Sequence, residues 1–235
     1  MKRKFLVTGG TGFLGASLVK KLLRENHEVR VLDNESRGRR NRLAEVEGQF
    51  EMTTGDIREP LVVEQAAKGC DSVVHMAFIN GTEFFYSKPE LVLEVGVKGM
   101  INVLDACKVN SIKDLILISS SEVYQEPPVI PTPEDVPLII PDVHNPRYSY
   151  GGGKIISELL ALNYGRKDFE RVLIIRPHNV FGPDMGWEHV VPQFILRAHD
   201  SIQEQTNGPI NFPIQGKGTE TRSFVYIDDF TEGLA

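Results

Sequence analysis

Cysteine is almost absent from this sequence, which holds only Cys70 and Cys107 among its 235 residues. The two lie far apart in the chain, so they form neither a disulfide framework nor a short zinc-binding motif. We therefore expect two buried thiols in a reducing compartment, the cytoplasm, and we expect no metal site.

Long hydrophobic runs and an excess of basic charge are also missing. No stretch approaches the ~20 apolar residues that a membrane-spanning helix needs. The basic start from Met1 to Lys4 precedes only a short apolar run, which favours a first strand over a signal peptide. Acidic residues outnumber basic residues by 32 to 26, for a net charge of −6. The sequence therefore predicts a protein that binds neither membranes nor nucleic acid.

What remains is the composition of an ordinary globular protein, with 41% hydrophobic and 25% charged residues. Short apolar segments alternate with segments whose apolar residues recur at helical spacing. This alternation predicts an α/β fold, in which a doubly wound parallel sheet carries helices on both faces. The predicted strands are 5–7, 29–32, 50–52, 72–75, 115–118 and 172–175, and the predicted helices are 13–26, 91–108 and 148–166.

The pattern is less regular in two places. Prolines crowd residues 125–146, which excludes regular structure there and predicts an ordered surface loop. Beyond Gly182 the pattern loosens, and we expect a helix at 190–199, an extended segment at 210–214 and a strand at 222–227.

A glycine-rich loop joins the first strand to the first helix, with Gly9, Gly12 and Gly15 spaced three residues apart. Gly9 can adopt a positive φ in the turn, Gly12 lets the backbone approach a pyrophosphate, and Gly15 lets the helix pack closely on the strand. The first helical residues, Phe13 and Leu14, then offer free backbone N–H groups to the phosphates. This strand-loop-helix context predicts a Rossmann-type dinucleotide site.

Asp33 ends the second strand, and Asn34 follows it. A carboxylate at this position accepts hydrogen bonds from the adenosine ribose hydroxyls and repels a 2′-phosphate, which favours NAD over NADP. The opposing signal is a cluster of cations, Arg37, Arg39 and Arg40, which could attract such a phosphate. We predict NAD as the cofactor.

Tyr150 and Lys154 are candidates for acid–base chemistry. They lie four residues apart in a predicted helix, and therefore on one face of it. The nearby ammonium is expected to lower the pKa of the phenol, which could then exchange a proton with a substrate hydroxyl. The run from Gly151 to Gly153 between them has two explanations, namely close approach of cofactor or substrate and a frayed helix start.

Ser120 and Glu122 follow the fifth strand, at the edge of the sheet where ligands bind in open α/β folds. Ser120 can hydrogen-bond the same substrate oxygen as the catalytic tyrosine. Polar residues also commonly begin loops, so this segment alone does not distinguish a catalytic site from an ordinary loop.

Together these features resemble the extended short-chain dehydrogenase/reductases, and specifically the NAD-dependent epimerase/dehydratase family, whose members modify nucleotide sugars. The similar segments run in the family's order along nearly the whole chain. They are 8–15, 33–34, 55–58, 75–77, 119–124, 150–154, 176–183 and 222–229.

The resemblance implies roles for individual residues. In the cofactor site, Asp56 and Ile57 would bracket the adenine, and Ala77 and Pro177 would lie along the dinucleotide. Asn34 would join Asp33 at the ribose.

For catalysis, the resemblance makes Ser120 the family's Ser/Thr position and Tyr150 the acid/base, while Lys154 would hold the nicotinamide ribose and tune Tyr150. Asn179 and Arg222 would contact the diphosphate of the substrate, where an arginine makes charge-assisted hydrogen bonds. A simple reductase of small carbonyls would not need these two residues. A binding module without turnover would typically lack the tyrosine or the lysine.

Glu122 distinguishes branches of the family. Ser120-Ser121-Glu122 resembles the corresponding segment of nucleotide-sugar 4,6-dehydratases and uronate decarboxylases, and Asn145 to Arg147 resembles the decarboxylase branch. A C4 ketone acidifies the C5 proton, which a carboxylate can remove. Glu122 could instead cap the loop. We therefore expect an epimerase or dehydratase that oxidises the sugar at C4, with a uronate decarboxylase or a non-catalytic dinucleotide-binding module as alternatives.

Three departures from the family pattern stand out. Gly96 lies where the family often has asparagine, and Gln125 replaces the usual glycine after Val-Tyr. Family members usually continue well past the position of Asp229. We therefore expect an NAD-binding domain over 1–177 and a small, incomplete C-terminal substrate lobe over 178–235, in a truncated or naturally short chain. The resemblance also implies a homodimer, in which the helices at 91–108 and 148–166 would pair across a two-fold axis.

Overall fold

Six parallel strands form the main sheet in the computed structural model of the protein, which describes residues 1–204, 208–214 and 216–234. They are β1 (Lys4–Thr8), β2 (Glu28–Asp33), β3 (Glu51–Thr54), β4 (Ser72–His75), β5 (Asp114–Ile118) and β6 (Arg171–Ile175). Their order in the sheet is β3-β2-β1-β4-β5-β6. Because β2 and β4 flank β1 on opposite sides, a crevice opens beyond the carboxyl ends of these strands.

The helices are α1 (Phe13–Arg24), α2 (Pro60–Ala67), α3 (Thr82–Ser87), α4 (Pro89–Leu93), α5 (Gly99–Val109), α6 (Ser149–Asp168), α7 (Val190–Glu204) and α8 (Ile227–Glu232). One face of the main sheet is covered by α1 and α8, and the other by α2, α5 and α6. A second sheet pairs β7 (Asn179–Phe181) with β8 (Phe224–Tyr226) in parallel. Short 3-10 helices lie at Arg40–Val46, Ser121–Tyr124 and Pro146–Tyr148.

Each face of the sheet has its own hydrophobic core, because side chains alternate along a strand. In β1, Leu6 packs in the core that α2, α5 and α6 cover, whereas Val7 packs in the core that α1 and α8 cover. Both side chains are fully buried. The predicted α/β fold with a doubly wound parallel sheet is confirmed.

The helix predicted at 91–108 is confirmed, but it is not uniformly α-helical. A π-helical section at Glu94–Lys98 connects α4 to α5, so that one continuous helix runs from Pro89 to Val109. Gly96 lies in the middle of this section. Such π-turns are rare and often occur at functional sites.

One prediction for the C-terminal part needs correction. Residues 210–214, expected to be extended, belong to no helix or strand, and Pro213 within them has no N–H group to donate to a ladder. The strand predicted at 222–227 is confirmed only over Phe224–Tyr226, because α8 begins at Ile227.

Helix α8 returns to the main sheet. Ile227 and Phe230 are buried in the same core as Val7, and α8 packs against α1. The division into domains at residue 177 stays a prediction.

The remaining fold predictions agree with the structure. Cys70 and Cys107 are both buried free thiols. The proline-rich segment predicted as a loop over 125–146 contains no α-helix or strand, although its last residue, Pro146, begins a 3-10 helix. Within the described ranges, no helix combines the length and apolar character that crossing a bilayer requires.

Candidate active site

The glycine-rich loop forms a tight cradle between β1 and α1. Gly9 has a φ of +72°, and a Cβ on it would lie 2.9 Å from backbone atoms of Ala77. A Cβ on Gly15 would overlap the carbonyl oxygen of Gly9. Among the described residues no side chain caps α1, so the N–H groups at Phe13 and Leu14 face the crevice without an intrahelical acceptor. The cradle can therefore receive an anionic group at the helix N-terminus.

Asp33 lies beside this cradle at the carboxyl end of β2, as predicted. Its Oδ2 accepts a hydrogen bond from the Thr11 N–H at 2.9 Å, and its Oδ1 accepts one from the Glu35 N–H at 2.8 Å. A carboxylate has about four lone-pair sites, so capacity remains for ribose hydroxyls. The side chain is buried, and these bonds fix its orientation.

The nearby arginines have other partners. Arg37 pairs with the carboxylate of Glu188, and Arg40 pairs with that of Glu47 at 2.6 Å. These ion pairs weaken the case for a 2′-phosphate site next to Asp33.

Asn34 and Asp56 lie together at the end of the crevice where the adenine was predicted to bind. The Asn34 side-chain amide donates to Asp56 Oδ2 at 3.0 Å. Hydrogen bonds from the Arg58 guanidinium lower the pKa of Asp56 to about 2, so this carboxyl is ionised at neutral pH. The carbonyl of Ile57 accepts a hydrogen bond from Asn102, which fixes the backbone beside Asp56.

Tyr150 and Lys154 are buried on one face of α6, as predicted, with 7% and 4% of their surfaces exposed. The Tyr150 ring stacks on Phe85 at 5.2 Å and meets the edge of Phe78 at 5.2 Å. Lys154 Nζ donates to the carbonyl of Ile118, the last residue of β5, at 2.6 Å. The pair is thus fixed at the carboxyl end of the central strands.

The lowered pKa expected for Tyr150 is not found. Burial raises the pKa of Tyr150 to about 12 and lowers the pKa of Lys154 to about 7. Desolvation penalises the charged form of each group and is the largest cause of both shifts. A hydrogen bond with the Ser120 side chain and the charge of Arg147 act in the opposite direction and lower the pKa of Tyr150.

Ser120 is the N-cap of the 3-10 helix at Ser121–Tyr124, where its Oγ accepts a hydrogen bond from the Glu122 N–H at 3.1 Å. The capping role considered for Glu122 therefore belongs to Ser120. The Glu122 carboxylate instead accepts hydrogen bonds from Arg147 Nη2 at 2.9 and 3.2 Å. Its charge raises the pKa of Tyr150, which places Glu122 within electrostatic reach of the phenol.

This geometry can be compared with known proteins. The sequence pattern of the NAD dependent epimerase/dehydratase family matches residues 5–235. The chain belongs to this family. The resemblance expected from the motifs is thereby confirmed, and NAD is the cofactor of the family.

Curated relatives of this family member include decarboxylases. UDP-glucuronic acid decarboxylase 1 of Xenopus tropicalis is 32% identical over 99% of this chain and 53% of its own length. UDP-glucuronic acid decarboxylase 6 of Arabidopsis thaliana is 34% identical over 98% of this chain and 64% of its own length. The chain therefore spans about half to two thirds of the length of these relatives.

Solved structures of family members share the fold. A UDP-galactose 4-epimerase has a TM-score of 0.80 at 28% identity, over 97% of this chain and 69% of its own. A dTDP-glucose 4,6-dehydratase from Streptomyces venezuelae, solved with NAD bound, has a TM-score of 0.84 at 28% identity, over 98% of this chain and 70% of its own. The relatives of this chain are thus nucleotide-sugar epimerases, dehydratases and decarboxylases.

The residues of this family member fit NAD. The cradle has no room for a Cβ at Gly9 or Gly15, the N-terminus of α1 is uncapped, and the buried carboxylate of Asp33 lies beside it. By contrast, the described residues contain no group of three or more potential metal ligands.

Pro177 lies beside the catalytic loop. Its carbonyl accepts a hydrogen bond from the Ser121 N–H at 2.9 Å, which holds the end of β6 against this loop. A contact between Pro177 and the cofactor stays a prediction.

Asn179 and Arg222, the predicted substrate residues, lie at the second sheet. Asn179 Nδ2 donates to the carbonyl of Ser223 at 2.9 Å, and the exposed Arg222 donates to the carbonyl of Thr221. The structure brings the two residues close in the fold through the pairing of β7 with β8. Their role toward a diphosphate stays a prediction.

Sequence reasoning missed part of the site. Phe78 and Phe85 were not singled out, although both aromatic rings contact Tyr150. A buried network behind the loop was missed as well: the guanidinium of Arg176 pairs with Glu158, which also accepts a hydrogen bond from Ser119. The sequence signal that could have indicated Phe78 is its position directly after Ala77, in the segment that follows β4 and was assigned to the cofactor site.

Proposed function

We propose that the protein is an NAD-dependent enzyme that oxidises a nucleotide-bound sugar at C4 and then epimerises or dehydrates it. The observation that carries this proposal is the convergence of Ser120, Tyr150 and Lys154 beyond β5. The glycine cradle lies beyond β1, which is separated from β5 only by β4. Glu122 and Arg147 extend this group on the side of the catalytic loop. Residues 178–235 would contribute Asn179 and Arg222 to binding of the diphosphate.

Proton transfer at the sugar C4 hydroxyl belongs to Tyr150 in this account. Bound NAD⁺ supplies the hydride acceptor. Because burial raises the pKa of Tyr150 to about 12, the phenol needs nearby positive charge and hydrogen-bond donors to act as a base. Lys154 and Arg147 supply the charge, and Ser120 supplies a hydroxyl to the same oxygen.

Glu122 acts in the step that follows oxidation. The C4 ketone acidifies the C5 proton, and a carboxylate beside Tyr150 can remove that proton while the C6 hydroxyl takes up a proton and leaves as water. Return of the hydride from the reduced cofactor to C6 and of a proton to C5 would complete the 4-keto-6-deoxy sugar. Its ion pair with Arg147 holds the carboxylate in one orientation. A plain 4-epimerase needs no such base, so this geometry favours dehydration over epimerisation.

Decarboxylation of a nucleotide uronate is the second candidate function. The decarboxylases among the relatives support it, as does the contact of Arg147 with Glu122, since residues 145–147 resemble that branch. In a uronate, the C4 ketone lies β to the C6 carboxylate. Oxidation at C4 alone would then activate loss of CO₂, without removal of the C5 proton.

Product analysis with the full-length protein separates these outcomes. The protein is incubated with NAD and a panel of nucleotide hexoses and nucleotide uronates, and products are followed by NMR. A 4-epimer, a 4-keto-6-deoxy sugar or a pentose identifies the reaction. If no nucleotide sugar reacts and none reduces bound NAD⁺, the proposal is wrong.

The proposed enzyme is a cytoplasmic homodimer. Ile156, Leu159 and Leu162 on α6 leave an apolar strip exposed to solvent. Burying this strip against a second copy would remove it from water.

A further inference from the structure

The three glycines that interrupt α6 face side chains from three other segments. A Cβ on Gly151 would overlap the Gln125 amide, one on Gly152 would lie 3.1 Å from Ile140, and one on Gly153 would lie 3.1 Å from Phe78. All three glycines are buried within a helix that begins at Ser149. The run is therefore closely packed and is not a frayed helix start, whereas close approach of cofactor or substrate stays a prediction.

Phe78 occupies a slot between two helices. A Cβ on Gly96, in the π-helical section, would overlap the Phe78 ring, and Gly153 of α6 borders the same ring. Ser157 Oγ lies within hydrogen-bond distance of the carbonyls of both glycines, at 3.4 and 2.8 Å, and links the two helices beside this slot. Two glycines on separate helices thus leave the volume that one aromatic ring fills.

The same ring contacts both catalytic side chains. The Lys154 ammonium lies 4.1 Å from the centroid of Phe78, and the Tyr150 ring meets Phe78 at 5.2 Å with an interplanar angle of 82°. Lys154 also donates to the Ile118 carbonyl. In a site this dry, the face of an aromatic ring can stabilise an ammonium that water does not reach.

We infer that Phe78 is a positioning residue, whose ring holds the Lys154 ammonium beside Tyr150 from the slot that Gly96 and Gly153 leave open. Only the predicted effect of Phe78 on turnover rests on the proposed function. The contact between Phe78 and Lys154 is a property of the folded chain. It also accounts for glycine at position 96, since a side chain there would displace the ring.

Fluorination of Phe78 tests this inference without changing the shape of the slot much. Phenylalanine with one, two or three ring fluorines is placed at position 78 of the full-length protein. Each fluorine weakens the negative potential of the ring face, so the stabilisation of Lys154 should fall step by step. Phe78→Leu removes the ring face while keeping an apolar side chain. The fluorines are placed away from Cζ, because that atom borders Gly96 and Gly153.

Two readouts are followed across this series. The first is the titration of Lys154 by NMR of ¹³C-labelled lysine, with the resonance assigned by its loss in Lys154→Met. The charge of Glu158 on α6 raises the pKa of Lys154, and the charge of Lys154 lowers the pKa of His75 at the end of β4. Neither Glu158 nor His75 is substituted in the series. The second is single-turnover hydride transfer with the substrate that product analysis identifies.

The titration midpoint of Lys154 should fall with each fluorine. Hydride transfer should slow about 10- to 30-fold in Phe78→Leu, the rate equivalent of a desolvated cation–π contact. An unchanged midpoint and rate across the fluorinated series, with unchanged thermal midpoints, would show that the ring only fills space. If no nucleotide sugar reacts, the NMR titration still decides the role of Phe78, so failure of the proposed function and failure of this inference are distinguishable.

Discussion

Burial governs the chemistry of single residues in this site. Tyr150 and Lys154 are both removed from water, and each is pushed toward its neutral form, with pKa values of about 12 and about 7. A phenol in such a place is seldom ionised near neutral pH unless positive charge lies next to it. The positions of Arg147 and of the Lys154 ammonium therefore matter as much as the tyrosine itself.

Lys154→Met should raise the free energy of unfolding at pH 7, and the gain should be much smaller at pH 10. The folded-state pKa of Lys154 is lowered to about 7, below the ordinary value of 10.5, so folding expels a proton between these pH values. The resulting penalty is largest at and below pH 7 and disappears above pH 10.5, which makes the expected gain roughly 2–5 kcal/mol at pH 7 and about 1 kcal/mol at pH 10.

Urea unfolding at the two pH values measures this difference. Lys98→Met, at an exposed lysine of the same region, is the matched control and should show no such pH dependence. An equal effect of Lys154→Met at both pH values would mean that the buried ammonium carries no desolvation penalty.

Glu122→Gln should preserve hydride transfer from C4 but block the dehydrated product. The amide keeps the size of the side chain and can still bond near Arg147, but it cannot accept the C5 proton. NADH absorbance should therefore appear on mixing, while dehydrated product formation falls about 10²–10⁴-fold, the usual contribution of an acid/base group.

The matched control for this variant is Glu126→Gln, which changes an exposed carboxylate on the same loop and should leave turnover unchanged. Normal formation of a 4-keto-6-deoxy product by Glu122→Gln would remove Glu122 from the proton transfer. Normal formation of a decarboxylated product would favour the uronate reaction, in which the C5 proton stays in place.

At the scale of elements, glycines determine how closely the helices and loops approach each other. Gly9 and Gly15 let β1 and α1 form the cradle, and Gly96 and Gly153 let Phe78 lie between the π-helical section at Glu94–Lys98 and α6. The π-helical section supplies the local geometry at Gly96.

Gly96→Ala should destabilise the protein by about 1–3 kcal/mol, because its Cβ overlaps the Phe78 ring and overpacks the slot. In a protein that already carries Phe78→Ala, the same Gly96→Ala substitution should cost much less stability, because the ring that its Cβ overlaps is gone. Gly233→Ala, where a Cβ meets its nearest atom at an ordinary 3.5 Å, is the control and should change stability by less than ~0.5 kcal/mol. Additive losses in the double variant, measured by urea unfolding, would contradict the size match.

Local patterns explain which parts of these elements could be predicted from the sequence. The apolar runs of β4 and β5 and the glycine-rich loop carry their own signals, because periodicity and positive φ are properties of neighbouring residues. The contact between Phe78 and Gly96 and the ion pair between Arg147 and Glu122 join distant segments. No spacing rule connects such pairs. The pKa of Tyr150, which desolvation and nearby charges determine, depends on contacts of this kind.

At the scale of the whole molecule, the described chain leaves apolar surface uncovered. On α6, Leu159 is 61% exposed and Leu162 is 50% exposed. The glycine run, Tyr150 and Lys154 are buried on the side of α6 that borders the candidate site, whereas these leucines lie on its exposed side, where a second copy could bind.

Leu159→Glu should convert the proposed dimer into a monomer, because a charge would be desolvated in the middle of the apolar strip. Light scattering coupled to size-exclusion chromatography measures the mass of the full-length protein. Leu61→Glu, at a leucine of α2 that is 73% exposed, is the control and should leave the mass unchanged. A wild-type protein that is monomeric at micromolar concentration would exclude this interface.

The central claim is that Tyr150 takes a proton from the sugar while C4 loses a hydride, and a C4-deuterated substrate tests it most directly. In a single turnover, the full-length wild-type protein should place deuterium on the enzyme-bound dinucleotide, with a primary isotope effect on its reduction. Tyr150→Phe should bind NAD as tightly as wild type in calorimetry but reduce it about 10²–10⁴-fold more slowly. Product formation without deuterium on the dinucleotide, or full activity in Tyr150→Phe, would contradict the account.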